Sequence, residues 1–375
     1  MSDSVTLSLF DSLGEVPDPR LERTKLHQLV DILVIAVCAT ICAAETWEEI
    51  EEFGRAKESW FKKFLALPNG IASHDTFRRV FLLIDPKKFQ EAFVVWVRGL
   101  AQMTDGEVVA IDGKQVRGAR LSGGKEGLRM VSAWACEQRL VLGQLKTEEK
   151  SNEITAIPLL LELLELKGCI VTIDAMGCQT EIAAQIIEQE ADYVLSLKGN
   201  QGTLYEEVEE YFAWAEKIEF KDLEYDYCAT LEKDHGRIEG RRCWVTEDTD
   251  WFTEKAEWEG LRSFIMVEAE REVVGQAATV ERRYFISSLP ADAKQSLRAV
   301  RGHWQVENSL HWVLDVAFRE DACRTRTGHA PENLATLRHM AVNLLKQERS
   351  CKLGVKSKRL KAGWDEGYML KVLNL

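Results

Sequence analysis

Two aspartates follow short, strongly apolar runs in the middle of the chain. Asp112 comes directly after VVAI and precedes Gly113, and Asp174 comes directly after IVTI. A carboxylate just beyond a buried strand projects from the edge of the sheet, where open α/β sheets place their ligands. A capped Asp-Gly turn is the alternative explanation for a single aspartate. Two strand-end aspartates together favour a shared polar site.

Carboxylate oxygens are the ligands that Mg²⁺ prefers, usually a few of them together with waters and substrate phosphates. Two such ions about 4 Å apart can stabilise the attacking and the leaving oxygen of an in-line phosphoryl displacement. A site of this kind needs a further carboxylate from another element. Glu307 on a late helix is one candidate, but the residue pattern does not separate it from Glu320 or Asp321.

A stripe of polar side chains surrounds Glu307. His303, Glu307, His311 and Asp315 recur every four residues and therefore form a slowly drifting row on one face of a helix. Taken alone, the pattern HxxxExxxH is compatible with a zinc site carried by a helix. A hydrogen-bonded helix interface fits the pattern better than zinc does. The residues by themselves leave these alternatives open.

The distribution of charge bears on possible partners. The chain has 375 residues and a formal net charge of −13, which disfavours a general nucleic-acid binder because phosphate contacts dominate affinity for DNA. However, segment 346–361 holds seven basic residues against one acidic, while segment 205–224 holds eight acidic residues against two lysines. Composition therefore leaves DNA binding open.

The cysteines and the apolar runs indicate the compartment. The nine cysteines are scattered without a CxxC pair, which disfavours structural zinc and favours free thiols in a reducing environment. The N-terminus is acidic and lacks the apolar core of a signal peptide. The longest apolar run, 32–44, is shorter than the roughly 20 residues that span a bilayer. We therefore expect a cytoplasmic protein with no membrane partner.

Hydrophobic periodicity gives the order of the elements. Helical periodicity fills the first hundred residues, at 25–44, 47–64, 74–83 and 89–100. The following elements are predicted in the order β-β-β-α-β-α-β. The strands are 107–111, 129–136, 140–146, 169–173 and 193–197, and the helices are 152–166 and 179–191. Helices between strands permit parallel pairing, so this order predicts the mixed sheet of a ribonuclease-H-like core.

The remainder of the chain interrupts and completes that core. An acidic helix and short strands at 241–246, 264–268 and 282–287 indicate an insertion, and helices follow at 293–318 and 331–347. We predict an α/β protein with an all-helical N-terminal domain and a ribonuclease-H-like mixed-sheet catalytic core that carries a β-containing insertion. The boundaries are 1–103 for the helical domain, 104–350 for the core, about 201–289 for the insertion, and 351–375 for a basic C-terminal tail.

Several long motifs resemble those of the ISAs1-family transposases, the bacterial insertion-sequence group that includes the H-repeat-associated proteins. The motifs are IDGK, VTIDAMG, LKGNQ and HWQVENSLHWVLDVAFRED, together with LPNGIASHDTFRRVF, MVSAW, EKSNEITAIP and DHGRIE. They extend over nearly the whole chain and keep their order. The resemblance implies a DDE triad of Asp112, Asp174 and Glu307 that holds Mg²⁺, with Mn²⁺ as a substitute. It also implies an N-terminal domain that recognises transposon ends.

The resemblance further implies metal-dependent cleavage at the ends of the element, then strand transfer into target DNA. Pairing of two DNA ends in that reaction implies a homodimer in the DNA-bound complex. Side chains beside the triad are candidate DNA contacts. They are Lys114, Arg117, Lys198, Asn200, Arg301, His303, Trp304 and Asn308. In related transposases a Tyr, an Arg and a Lys flank the glutamate, and Val300, His303 and Leu314 stand in their places here. Alternatives are a catalytically silent regulatory DNA-binding protein and a nuclease of the same fold.

Overall fold

The computed structural model describes residues 7–119, 128–147, 153–234, 237–273 and 277–375. The Gly-rich loop at 120–127, residues 149–152 of EKSNEITAIP, and residues 235–236 of DHGRIE lie outside this part of the chain. Two units are present, and each is assembled from separate segments. Unit 1 contains Met1–Gln102, Gly113–Lys150 and Glu307–Leu375, and unit 2 contains Met103–Asp112 and Ser151–Val306.

Within the described residues there are nine β-strands. They are β1 Val108–Val116, β2 Leu128–Ala135, β3 Leu140–Lys146, β4 Ile170–Ile173, β5 Asp192–Leu197, β6 Asp226–Asp234, β7 Arg237–Thr246, β8 Ser263–Val273 and β9 Thr279–Ser287. In unit 2 the order is β1-β4-β5-β9-β8-β7-β6, and in unit 1 it is β3-β2-β1. Strand β1 passes from unit 2 into unit 1 after Asp112. The sheet is mixed. Strand β4 pairs in parallel with both β1 and β5. Strand β5 pairs antiparallel with β9, and the pairs β9–β8, β8–β7 and β7–β6 are also antiparallel.

Fourteen α-helices accompany these strands in the described ranges. They are α1 Leu9–Gly14, α2 Leu29–Ile41, α3 Trp47–Ala56, α4 Glu58–Phe61, α5 His74–Leu83, α6 Pro86–Leu100, α7 Glu153–Glu162, α8 Thr180–Glu188, α9 Thr203–Lys217, α10 Ala293–Val306, α11 Trp312–Val316, α12 Ala330–Gln347, α13 Val355–Trp364 and α14 Glu366–Leu373. A π-helical turn, Glu307–His311, joins α10 to α11.

The helical ends of unit 1 follow from local sequence. Thr46 and Glu49 form a capping box at the start of α3, which satisfies two backbone N–H groups that the first turn leaves unpaired. Asp85 caps α6. Pro86 occupies the first position of this helix, where a backbone N–H would have no intrahelical partner, so proline loses no hydrogen bond there. Helix α2 is buried along nearly its whole length and packs against α12. Nowhere in the described ranges is a helix both long and apolar enough to span a bilayer.

The predicted order β-β-β-α-β-α-β is present, as β1-β2-β3-α7-β4-α8-β5. Three details were wrong. The predicted helix 47–64 is divided between α3 and α4, and the predicted helix 293–318 is interrupted by the π-helical turn. The prediction also missed β6, whose DYCATLEKD carries three acidic residues and alternates weakly. Strand β9 pairs with β5, so the strands between them extend the sheet of unit 2 instead of forming a separate layer.

The predicted basic tail, 351–375, is folded into α13 and α14 in unit 1. Arg359 donates to Thr40 O at 2.8 Å and Ile41 O at 3.2 Å, the carbonyls that end α2. Lys358 is buried and donates to Leu345 O at 2.8 Å. These two cations therefore satisfy helix-terminal carbonyls, so basic residues of the predicted C-terminal tail take part in the packing of unit 1.

Glu348 joins these C-terminal helices to α12. Its carboxylate accepts hydrogen bonds from Ser350 N at 2.7 Å and Tyr368 Oη at 2.7 Å, and Lys358 Nζ lies 3.8 Å away. Burial alone would raise the pKa of Glu348, but the hydrogen bonds from Ser350 and Tyr368 outweigh it and lower the pKa to about 2. The carboxylate is therefore an anionic anchor for the end of the chain.

We expect Glu348→Gln to lower the free energy of unfolding by about 3 kcal/mol near neutral pH. Because the pKa is depressed in the folded state, the carboxylate stabilises the fold above its unfolded pKa. That stabilisation is lost as the pH falls from about 4.5 towards about 2. Urea titrations of the wild type and the variant at several pH values would measure how the difference in their unfolding free energies narrows as the pH falls. The exposed Glu52→Gln is the matched control, and a difference independent of pH would contradict the assignment.

Candidate active site

Asp112 and Asp174 lie beside each other in the sheet of unit 2. Strand β1 pairs in parallel with β4 in the register Val108↔Ile170 to Ile111↔Ile173, and each aspartate is the next residue on its strand. Adjacent strands are about 4.8 Å apart, so the two carboxylates leave the same edge of the sheet. Both residues are half-buried. β1 itself continues past Asp112 to Val116, and only its pairing with β4 ends at Ile111.

A short turn after β4 fixes the backbone around Asp174. The Asp174 Oδ1 accepts from Met176 N at 3.1 Å and caps the single 3₁₀ turn Ala175–Gly177. Asn200 Nδ2 and Gln201 Nε2 each donate to Ala175 O at 2.8 Å. Asn200, predicted as a DNA contact, thus braces the turn that carries Asp174. Gln201 was missed by the sequence reasoning, although the LKGNQ motif contains it.

Helix α10 packs against β4 within unit 2. The His303 Nδ1 lies 3.2 Å from Thr172 Oγ1, two residues before Asp174. The other predicted DNA contacts on this helix also have internal partners. Arg301 Nη2 forms an ion pair with Glu232 Oε1 at 2.7 Å, and the guanidinium of Arg283 lies 3.9 Å from the ring centroid of Trp304.

The π-helical turn carries Glu307 and His311 in unit 1. The Glu307 side chain is 68% exposed, and its Oε2 lies 3.8 Å from Nδ1 of the buried His311. Asn308, in the same turn, is exposed. A π-turn adds one residue to the helical repeat, and such turns are frequent at functional sites. The regular four-residue stripe expected from the sequence is therefore broken at Glu307.

The zinc alternative at His303 finds no support. Among the described residues, neither His303 nor Asp174 belongs to a set of three His, Cys or carboxylate side chains whose ligand atoms lie within 4.8 Å of one another. Since zinc sites usually need three or four closely spaced protein ligands, His303 is better explained as a hydrogen-bond partner of Thr172.

Lys114 lies in an ion cluster inside unit 1. Its side chain is only 9% exposed, and Nζ lies 2.7 Å from Asp315 Oδ1, 3.1 Å from Glu320 Oε2 and 3.6 Å from Asp321 Oδ1. Burial alone would lower the pKa of Lys114, but Glu320 and Asp315 outweigh it and raise the pKa. The ammonium is held by protein carboxylates, so we do not retain Lys114 as a phosphate contact.

The same cluster accounts for Glu320, a residue that the sequence could not separate from Glu307. Glu320 is almost fully buried and has a second cation, Arg338 Nη1, at 3.5 Å. Burial would raise its pKa, but Arg338 and Lys114 outweigh burial and lower the pKa. Glu320 is thus an internal counter-ion. Arg117, with its side chain 76% exposed and Nε 3.6 Å from Asp321, still presents charge to solvent, as does the exposed Lys198.

Comparison with known proteins identifies the class. The family described as Transposase DDE domain matches residues 103–344, and the family described as DDE_Tnp_1-associated matches residues 10–97. The first match covers more than half of the chain. The chain therefore belongs to the DDE transposase family, which implies a DNA-cleaving enzyme of phosphoryl transfer.

Individual relatives narrow the class. The chain is 44% identical over 370 residues to "Putative transposase YncI" of Escherichia coli O157:H7, covering 98% of this chain and 94% of that protein. It is 41% identical over 375 residues to "H repeat-associated putative transposase YhhI" of Escherichia coli strain K12, covering 97% of each. The chain is thus an H-repeat-associated DDE transposase of the bacterial insertion-sequence type, as the motifs predicted.

A solved piggyBac transposase synaptic complex with hairpin DNA is also similar, at 10% identity and a TM-score of 0.42, covering 98% of this chain and 78% of that chain. This similarity is too weak to support a statement on the fold.

We expect Lys114→Met to lower the free energy of unfolding by about 3 to 5 kcal/mol, because it removes the cation that contacts Asp315 and leaves the buried Glu320 with Arg338 alone. The exposed Arg117→Gln should change it by less than about 1 kcal/mol. Denaturant unfolding followed by tryptophan fluorescence measures both values. A similar loss of unfolding free energy in both variants would show that the stabilising effect of the Lys114 charge does not depend on its burial.

Proposed function

We propose that the chain cuts DNA at the ends of an ISAs1-type insertion sequence and joins the resulting 3′-hydroxyl to target DNA. Asp112, Asp174 and Glu307 would hold the Mg²⁺ ions, with Mn²⁺ as a substitute. One observation carries the proposal: the in-register parallel pairing of Ile111 with Ile173, which sets two aspartates at one edge of the sheet of a DDE-family protein.

The core is best described as ribonuclease-H-like. Strands β1, β4 and β5 are parallel neighbours, with α7 and α8 in the crossovers. On the other side of β1 comes β2, which pairs antiparallel with β3. This order, 3-2-1-4-5, supports the fold expected from the sequence. The four strands β6 to β9 are then an insertion between β5 and α10.

The described residues fit a divalent cation of the Mg²⁺ type. The donor set in unit 2 is two half-buried carboxylates, with oxygen atoms only, and Mg²⁺ takes such ligands together with water and substrate phosphate. The helix that precedes Glu307 is anchored next to this edge, because His303 contacts Thr172 of β4. The transposase motif HWQVENSLHWVLDVAFRED, which contains Glu307, supports this residue as the third carboxylate.

When bound, Mg²⁺ neutralises charge on the reacting phosphate and orients the attacking and leaving oxygens. The chain's own residues hold the geometry. Asn200 and Gln201 brace the turn at Asp174, while Thr172 orients His303. His311 lies beside Glu307, and its ring nitrogen would be a further ligand for a metal ion held there. Arg117, Lys198 and Asn308 remain exposed, so we retain them as candidate DNA contacts.

The reaction determines the remaining proposals. Two transposon ends must be processed together, so we assign one copy of the chain to each end in the DNA complex. Because the proposed substrate is bacterial DNA, we assign the protein to the cytoplasm.

We expect Asp112→Asn, Asp174→Asn and Glu307→Gln each to reduce end cleavage by about a thousandfold, since metal stabilisation of transition-state charge is worth several kcal/mol. The assay incubates the full-length protein with a duplex that carries the element's native flanking sequence, in Mg²⁺ or Mn²⁺, and resolves nicked strands on denaturing gels. Glu188→Gln, an exposed carboxylate on α8, is the matched control.

The outcomes separate the alternatives. Equal cleavage by Glu307→Gln and the wild type would remove Glu307 from the site. If the wild type and all variants bind the ends specifically but none of them cleaves, a regulatory DNA-binding role is favoured. Cleavage without joined products in a strand-transfer assay would favour a stand-alone nuclease.

A further inference from the structure

Unit 1 contains an open cleft with a volume of about 620 Å³. One wall is formed by residues at the start of α3 and by Arg78 and Leu82 of α5. The other wall is formed by residues of the segment 318–330 and by Arg338 of α12. All of these residues belong to unit 1. None of the candidate DNA contacts expected from the sequence lines the cleft.

The cleft is strongly cationic. Five arginines line it, against two glutamates, Glu45 and Glu48. Two of the arginines are paired internally. Arg319 Nη1 lies 3.2 Å from Glu45 Oε2, and Arg338 lies against the buried Glu320. The other three are Arg78, Arg324 and Arg326, and all three are exposed.

These three guanidinium groups keep their charge for a ligand. Arg326 Nε donates to Gly118 O at 3.2 Å, a contact that orients the group without neutralising it. Within the described part of the chain, Arg78 and Arg324 form neither an ion pair nor a hydrogen bond. Replacing either of these two residues therefore removes no ion pair or hydrogen bond within the described residues.

The segment that carries Arg324 and Arg326 is held in place on both sides. At Gly118 a Cβ would lie 2.3 Å from Cys323 O and 2.5 Å from Asp321 O, so the two backbones approach as closely as only glycine permits. At the far end His329 N donates to Leu82 O at 3.4 Å. Because the backbone of the segment is already fixed, a ligand that binds these arginines does not have to order it.

The charge of the whole unit has the same sign as the cleft. Unit 1 contains 32 basic and 27 acidic residues, whereas unit 2 contains 16 basic and 34 acidic residues. A polyanion is therefore attracted by unit 1 and repelled by unit 2 at long range. Arginine also presents a planar set of N–H donors that matches phosphate oxygens.

We propose that this arginine cleft binds the phosphate backbone of duplex DNA through sequence-independent contacts made by Arg78, Arg324 and Arg326. The proposal rests on the proposed function, because a transposase supplies DNA as the ligand. The cleft positions the duplex, and base recognition belongs to other residues.

The test compares Arg78→Gln/Arg324→Gln with Arg79→Gln/Arg349→Gln, which removes two exposed arginines outside the cleft, one of them on α5 beside Arg78. Fluorescence anisotropy without divalent metal gives the affinity of each full-length protein for a native end duplex and a scrambled duplex over a range of NaCl. Two lost phosphate contacts should reduce the magnitude of the negative slope of log K against log[NaCl] by about 1.8 and weaken binding about 60-fold near 0.1 M salt. Both duplexes should show the change, and the control pair should resemble the wild type.

Four results would overturn the proposal. Equal slopes for the two double variants would show that the cleft makes no backbone contact. A change confined to the native end duplex would indicate base recognition. Displacement of DNA by inorganic phosphate at constant ionic strength would indicate a site for free phosphate. An altered mass in sedimentation without a change in slope would also overturn it, by indicating self-association. Cleavage by the wild type is scored separately in Mg²⁺, so loss of the cleft and loss of the catalytic proposal give different results.

Discussion

The parallel pairing of β1 with β4 is the constraint on which the site depends. Side chains alternate along a strand, so a slip of one residue would turn either aspartate to the opposite face. The observed register ends the paired run at Ile111 and Ile173, and both following residues are aspartates. Thr172, inside the same paired run, then receives His303 from α10. The turn at Asp174 is braced by side chains from the end of β5.

The opposite charges of the two units explain how an acidic chain can serve a polyanionic substrate. The excess of carboxylates lies in unit 2, largely in the segment 201–289, which holds 22 acidic against 11 basic residues. Glu268 of β8 pairs with Arg242 of β7 and with Arg282 of β9 on the neighbouring strands. Unit 1 has an excess of basic residues and contains the arginine cleft. Because screened charges act over about 10 Å, the local surface matters more for DNA binding than the net charge of −13.

Burial decides which charged residues are available for chemistry. Lys114 and Glu320 neutralise each other inside unit 1, whereas Arg117 and Glu307 extend into solvent. The same distinction separates Arg359, which satisfies carbonyls at the end of α2, from Arg324 in the cleft. Charged groups are costly to bury without a partner, so Lys114, Glu320 and Arg359 serve the structure of unit 1.

The sequence by itself determined the elements and the family. Alternating and helical periodicities gave the order from β1 to β5, and long motifs gave the transposase class, because both are local properties of the chain. The sequence did not reveal β6, the folded C-terminal helices, the burial of Lys114 or the cleft around Arg324. Each of these depends on contacts between residues far apart in sequence. Only the tertiary structure decided them, since the partner that buries or exposes a charge is chosen by packing and not by its neighbours along the chain.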